Sequence, residues 1–475
     1  HVSQLPRGPF PLPILGNVLI FKITKVNQFI TINDLHKTYG PVYTLWMGTT
    51  PMVIIADYNL VKKAFNSKNN ELMGRPVSGL RKLLFKCGND VICANHGPVW
   101  ASLRRVAHSA VRKLTVSEEL SELVDDVVNE TVETMISNES IGKPFNPKTY
   151  IYMSVLNIFA SSAFGKRYSF DDKELKFYEK SFQSFRANTN EKALSNYIPF
   201  LKRFYSKSVN KTVESFTNLS INLKQKYLDR LKVHSKGEIH DFCDALIEAK
   251  EEAIADEESA LHLNDQNLSL VIMDLFIAGA DTTEITMRWI ILLMANNIEM
   301  QLRMRHEIND IIGDRVADNR HKNDCHYVNA FIAETLRYRS PAPLGLAHVA
   351  LCDYQLEKYH ISKGSQVFSN LYAISRDPNL WPKPDVFSPN RFLDKDNKYM
   401  SALPGFTPFG IGRRICLGER LALADLFYIT VRLLKSTKDY VFALPSGGGT
   451  ADLDLDPSIL FFGAPKSYEI FLVKN

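Results

Sequence analysis

Residues Pro408–Gly418 read PFGIGRRICLG, and ERLALADLFYI follows at once. One cysteine, Cys416, stands among glycines and arginines just ahead of a run with helical spacing. A thiolate, not a thiol, ligates metal, so a ligand cysteine needs a lowered pKa. A helix start provides this through its positive end and its unpaired N–H groups. Gly410 and Gly412 permit a tight bend that turns backbone N–H groups towards sulfur. Gly418 has no side chain, so a flat ring can come close. Arg414 can neutralise a carboxylate on that ring, and Phe409 can cover the sulfur face. The plain alternative is a structural loop around an inert cysteine. The full F-x-x-G-x-R-x-C-x-G spacing argues against it.

The rest of the chain sets the frame for that cysteine. Its 475 residues are 45% hydrophobic and 23% charged, the balance of a folded globular protein with a large core. A net charge of +5 is too weak to argue for nucleic acid, but it allows a local basic face for an acidic partner. The cysteines Cys87, Cys93, Cys243, Cys325, Cys352 and Cys416 are scattered and form no CxxC pair. That disfavours a disulfide framework and a paired zinc site, and it suits a reducing environment. No apolar stretch is long enough to span a membrane. The N-terminal LPRGPFPLPILGN, from Leu5 to Asn17, is Pro-rich. It reads either as a semi-rigid spacer after an anchor upstream of His1 or as a plain surface arm.

GPVYTLWMGTTPMVIIAD (Gly40–Asp57) has β-branched and aromatic runs around a Gly-Thr-Thr-Pro break, which predicts a hairpin. From about Asn59 to Val349 apolar residues recur at helical spacing. The longest run, Leu268–Asn297, is apolar almost all round, so its helix must cross the core. The charged stretch just before it reads as solvated and partly loop. After Leu351 short extended pieces with Pro and Gly take over, and the tail reads as hairpin-bearing. Helices outnumber strands, no repeat or linker interrupts them, and one mixed domain over 1–475 fits better than several.

FGIGRRICLG resembles the haem-binding signature of cytochrome P450 enzymes, the haem-thiolate monooxygenases, in which a thiolate ligand favours O–O cleavage as a general property of the class. The resemblance implies a mainly α fold with a smaller β part, with haem b between a long central helix and the cysteine loop. It also implies further motifs. ETLR places Glu334 and Arg337 on one helix face, and FSPNRF supplies Arg391. By resemblance these three form a buried latch behind the haem, although a surface ion pair is the plain reading of Glu334 and Arg337. GPVWASLRR places Trp100 and Arg104 at i, i+4. Both resemble residues that reach a haem propionate, and His348 in PLGLAHVA matches a further propionate-side position.

AGADTT (Ala278–Thr283) interrupts the apolar helix with an acid and an alcohol, which are costly to bury unless paired or used. The resemblance makes Ala278 and Gly279 the small residues that leave room for O2, with a local kink. It makes Asp281 a proton source and Thr282 the residue that orients water or activated oxygen, a kind of assistance typically worth ~10²–10⁴-fold. A threonine bonded back to its own helix is the plain alternative.

By family position the substrate pocket draws on Phe276, Ala280, Leu344, Leu346, Ile459 and Leu460, with the loop before Trp100 and the segment near Phe185. Each is equally readable as core. An apolar pocket implies a lipophilic substrate such as a steroid, fatty acid, terpenoid or foreign compound. NYIPFLKRFYSKSVNK (Asn196–Lys211) mixes aromatic and basic residues and could rest on a membrane surface. Arg105, Lys113, Arg413 and Arg420 would lie on the thiolate side, a basic face for an NADPH-dependent flavoprotein reductase, with cytochrome b5 as a further donor. The likeness is to animal endoplasmic-reticulum enzymes facing the cytosol, and to the steroid 17α-hydroxylase and drug-oxidising branch. The PLGLAHVA segment departs from the more usual Pro-His start. Two rivals to a monooxygenase are a haem-thiolate isomerase or dehydratase acting on a peroxide, which needs no proton relay, and a non-enzymatic haem or lipid carrier.

Overall fold

The computed structural model describes residues 4–474 except 24–27, 77–88, 116–117, 192–201, 255–260, 446, 449–452, 458, 460 and 461. Apolar periodicity becomes helix along most of the chain. In order these are α1 (Val18–Ile23), α2 (Gln28–Tyr39), α3 (Tyr58–Phe65), α4 (Pro98–Thr115), α5 (Glu118–Asn138), α6 (Lys148–Phe164), α7 (Lys173–Glu191) and α8 (Lys202–Val233). There follow α9 (Phe242–Ile254), α10 (Asp265–Asn296), α11 (Ile298–Ile311), α12 (Asn319–Asp324), α13 (His326–Tyr338), α14 (Leu371–Ile374) and α15 (Glu419–Ser436). The strands are β1 (Val42–Met47), β2 (Thr50–Ile55), β3 (His348–Val349), β4 (Tyr354–Leu356), β5 (Tyr359–Ile361), β6 (Gln366–Ser369), β7 (Tyr440–Ala443) and β8 (Phe471–Lys474). With 54% of the chain helical, the protein is mainly α with a smaller β part.

The expected hairpin is β1–β2. Met47 faces Thr50 across a two-residue loop in which Gly48 has φ 60°. β6 pairs parallel to β2, and β3 pairs antiparallel to β6, giving the order β1-β2-β6-β3. The tail supplies the separate antiparallel pair β7–β8.

The apolar run at Leu268–Asn297 forms most of α10, the axis of the molecule. Asn264 caps its start by accepting from the Asn267 N–H. α6, α8 and α15 pack around it. Its second half, from Met287 to Ala295, is buried on every side. The Trp289 indole N–H there finds the Gly463 carbonyl at 2.6 Å.

Two expectations change. Glu248–Ile254, read as part of a solvated stretch, lies in α9, because Ala245, Leu246, Ile247 and Ala249 supply a buried helical face. The Pro-rich N-terminal segment is no free spacer along its length. Buried Asn17 donates to the Phe10 carbonyl at 3.1 Å and accepts from the Trp46 N–H at 2.8 Å. Gly8 lies so close to β1 that a Cβ there would stand 1.9 Å from the Thr44 carbonyl oxygen. No helix among the described residues is long and apolar enough to cross a membrane.

Candidate active site

Cys416 sits three residues before the first residue of α15, as its sequence suggests. Gly410 (φ 83°) and Gly412 (φ 85°) make the left-handed bends of the loop, and the Cys416 N–H closes it on the Phe409 carbonyl at 2.9 Å. Gly412 is required for a second reason, since a Cβ would stand 2.2 Å from the Phe65 carbonyl oxygen at the end of α3. Gly418 has open space where its Cβ would be. Phe409 is half-buried against the main core. Burial pushes the Cys416 thiol up. The Gly418 N–H and Arg104 pull it back, while Glu419 adds to the rise. Although Cys416 has accessible surface, protein encloses it densely enough for burial to dominate, so that surface opens on an internal cleft.

A cationic cluster stands beside the loop. Trp100, buried on α4, donates its indole N–H to the Val91 carbonyl at 3.1 Å. Two guanidinium groups lie over its ring, Arg414 at 4.5 Å and Arg104 at 5.5 Å. Arg104 donates to the Ile415 carbonyl, next to the thiol. Arg414 donates Nε and Nη2 to the Met73 carbonyl and Nη2 to the Ala94 carbonyl. Its Nη1 is buried with no acceptor. Burial, with help from Arg104, pushes Arg414 down to about 10, while Asp90 and Cys93 oppose the fall. His348 donates Nδ1–H to the Leu72 carbonyl at 2.7 Å and packs on the Phe65 ring at 4.4 Å. Burial, Arg75 and Arg414 hold its imidazole well below the usual range, hence neutral.

The central helix contributes its middle turns. Ala278 is exposed within a helix whose neighbouring Ile277 and Ala280 are buried, so it borders open space. Thr282, one turn on, is half-buried and donates Oγ1–H to the Ala278 carbonyl at 2.7 Å, and Thr286 does the same to Thr282 at 2.8 Å. The back-bond offered as the plain reading of Thr282 is therefore present, and two in succession favour a bend. α10 nevertheless runs as one continuous α-helix. Asp281 is buried beside them. Gly279 has a different neighbour from the one expected. A Cβ on it would stand 2.1 Å from the Phe159 ring, so close packing of α10 on α6 demands a glycine here.

Glu334 and Arg337, both buried on α13, form a two-point pair at 2.6 and 2.8 Å. Arg391 approaches the same carboxylate at 3.4 Å, and the Ser388 N–H donates to it at 2.8 Å. Arg337 also donates to the Ser375 and Pro384 carbonyls. Every charge in this buried group is met, which is the condition for such a group to be tolerable.

Of the pocket positions, Phe276 packs into an aromatic cluster with Phe164, Tyr178 and Phe182, and Ala280 is buried in the same cluster, so both are core. Leu344 is buried, Leu346 is exposed and Ile459 is half-buried against the main core. Leu460, Cys87 and residues 196–201 lie outside the described residues, as do the side chains of Phe185 and of 202–209. On the thiolate side Arg105, Arg413 and Arg420 are exposed, whereas Lys113 is engaged by Glu252 at 2.9 Å and Glu248 at 3.8 Å. Sequence reading passed over Arg75. Its Nε reaches the Ile92 carbonyl and its Nη1 the Ala347 carbonyl, joining the loop before Trp100 to β3. Its local sequence, Gly-Arg-Pro, carries no mark of these contacts.

These residues fit a haem. The thiol lies at a helix start with an amide donating to it, and a buried guanidinium nitrogen lacks an acceptor beside a second arginine. Two like charges pressed together out of water suit carboxylates held between them. Known proteins agree. The sequence model of the family described as Cytochrome P450 matches residues 6–459. Cytochrome P450 2C55 of Mus musculus is 29% identical, over 99% of this chain and 94% of its own. Cytochrome P450 2K6 of Danio rerio is 31% identical, over 98% and 90%. Cytochrome P450 1A1 of Cavia porcellus is 29% identical, over 90% and 85%. The chain belongs to the cytochrome P450 family, the haem-b-binding haem-thiolate monooxygenases.

Proposed function

We propose that this chain oxidises a lipophilic small molecule (a steroid, fatty acid, terpenoid or foreign compound), with electrons passed from NADPH by a flavoprotein reductase. The observation that carries the reading is the Ala278–Thr282 turn. A small residue and a hydroxyl open on the cleft while a buried carboxyl stands next to them. A peroxide isomerase or a carrier needs no such proton equipment.

Haem b, held by Cys416, supplies the oxygen-activating chemistry. The chain's own residues do the rest. Arg104 and Arg414 would hold the ring's carboxylates, with Trp100 and His348, whose N–H groups are taken by the Val91 and Leu72 carbonyls, lining the same side. Gly412 and Gly418 let the loop approach, and Phe409 shields the sulfur from water. Thr282 Oγ1 already donates to the Ala278 carbonyl, so its lone pairs are open to hold a water at the cleft. Asp281 passes protons to that water. Glu334, Arg337 and Arg391 hold the segment behind the ring in place. Leu344, Leu346 and Ile459 contribute apolar wall.

The protein works at the cytosolic face of the endoplasmic-reticulum membrane. Phe10 (88% exposed), Ile14 (66%), Leu12 and Leu19 present apolar surface along one N-terminal stretch, which supports contact with lipid. Arg105, Arg413 and Arg420 offer an acidic reductase, or cytochrome b5, a basic face.

The test is reconstitution of the holoprotein with NADPH and reductase, after a spectral-shift screen of steroids, fatty acids and terpenoids. The expected result is substrate-dependent O2 uptake matched by hydroxylated product. Turnover of a hydroperoxide without NADPH, or tight binding with no product under full electron supply, would replace this reading with one of the two rivals.

A further inference from the structure

The segment from Asp90 to Ala94 is almost wholly buried, yet it belongs to no helix or strand. Buried backbone must find partners somewhere, and here side chains provide them. Asp274 Oδ2 accepts from the Val91 N–H at 2.8 Å and the Ile92 N–H at 3.1 Å. Asp90 Oδ1 accepts from the Cys93 N–H and from the Ala94 N–H. On the carbonyl side, Val91 receives the Trp100 indole, Ile92 receives Arg75 and Ala94 receives Arg414. The same short segment thus grips the two residues that lie ring to guanidinium beside Cys416.

Asp274 is the link from this segment to the central helix. It shares a helical face with Ala278 and Thr282 at i, i+4 and i+8. Ala278 and Thr282 are where the helix meets the cleft. Asp274 itself is 3% exposed, and its Oδ1 has no hydrogen-bond partner. Burial and the nearby Asp90 carboxylate push it well above the usual range, against the pull of the Val91 and Ile92 amides. Two buried acids side by side do not both ionise readily. Asparagine is the near-isostere of Asp274, with one oxygen still able to accept the two N–H bonds.

We propose that Asp274 is a positioning residue: with Asp90 it fixes residues 91–94 on the central helix, and so sets where Arg414, lying over the Trp100 ring, would meet the carboxylates of the haem. The proposal rests on the reading of Trp100 and Arg414 given above. It asks nothing of substrate or reductase.

Two measurements on the holoprotein test it. Hydrogen exchange in the wild-type protein is expected to show the Val91 and Ile92 amides protected like core helix. Exchange at free-loop rates overturns the clamp, whatever any variant does. In Asp274→Ala those amides are expected to exchange at least about tenfold faster, with the core of α10 near residues 287–295 unchanged. Haem loss to excess apomyoglobin is expected to accelerate by about tenfold or more as the grip loosens. Asp274→Asn is expected to restore both to within about twofold of wild type. Faster exchange with unchanged haem loss would make Asp274 merely structural. An asparagine variant as impaired as the alanine variant would overturn the clamp. If Arg414→Ala and Trp100→Phe leave haem loss unchanged, it is the assignment of those residues that fails, and the exchange result still stands or falls on its own.

Discussion

At Cys416 opposing influences act on one thiol. Burial raises it and the Gly418 amide and Arg104 lower it, with burial the larger, so a charged ligand is what completes the site. Thr282 lies at the other side of the chemistry. Replacing it by alanine removes a hydroxyl that, among the described residues, bonds to its own helix, so fold and ligand binding are expected to persist. Thr282→Ala is expected to waste electrons as hydrogen peroxide, read as product formed per NADPH consumed; undiminished coupling would remove Thr282 from proton handling. Asp425 on α15 gives a pH effect. Burial pushes its carboxyl up to about 8, with Lys322 pulling down. Between its ordinary value, about 4, and about 8 the folded state holds a proton that the unfolded chain releases. Stability from this group therefore falls as pH rises through that window, by up to ~1.4 kcal/mol per unit. Asp425→Asn is expected to flatten the Tm–pH curve and to be the more stable protein near the upper end; parallel curves for the two would contradict this. Cys416 stood out through the local spacing of its loop, and Trp100, Arg104 and Glu334 only through their resemblance to family motifs. Asp274 and Arg75 did not, because their partners lie far along the chain and sequence carries no mark of that contact.

Elements meet where side chains are missing as much as where they are present. Gly279 lets α10 lie against the Phe159 ring on α6, a contact no periodicity reveals. Alanine there would gain ~1 kcal/mol in helix propensity but would have to displace an aromatic ring, with overpacking costing ~1–3 kcal/mol. Gly279→Ala is expected to lower Tm, and adding Phe159→Leu to recover most of the loss. A Gly279→Ala protein with unchanged Tm and altered electron coupling would return the glycine to an oxygen-side role. α13 and the segment holding Arg391 meet through Glu334. Because its carboxylate is fully buried and shared by two arginines, loss of one partner would strand charge at a cost of ~3–5 kcal/mol. Helices, the β1–β2 hairpin and the paired tail were all legible as apolar patterns. The reach of α9 into the charged stretch was hidden because solvent-facing glutamates mask its buried face.

Across the whole molecule, few long-range bonds close the site. Arg414 ties the cysteine loop to Met73 and Ala94, Asp274 ties Val91 and Ile92 to the central helix, and Arg75 ties Ile92 to the strand that carries His348. The sequence pointed to Arg414 and His348, and folding alone disclosed Asp274, Arg75 and the closure of the ring. All of it converges on one sulfur. The most direct measurement is the reduced–CO difference spectrum of the haem-loaded protein beside that of Cys416→Ala. The wild-type protein is predicted to give the thiolate-type band and the variant to lose it. A wild-type spectrum of nitrogen-ligand type, or an unchanged band in Cys416→Ala, would contradict the ligand assignment on which the enzymatic account depends.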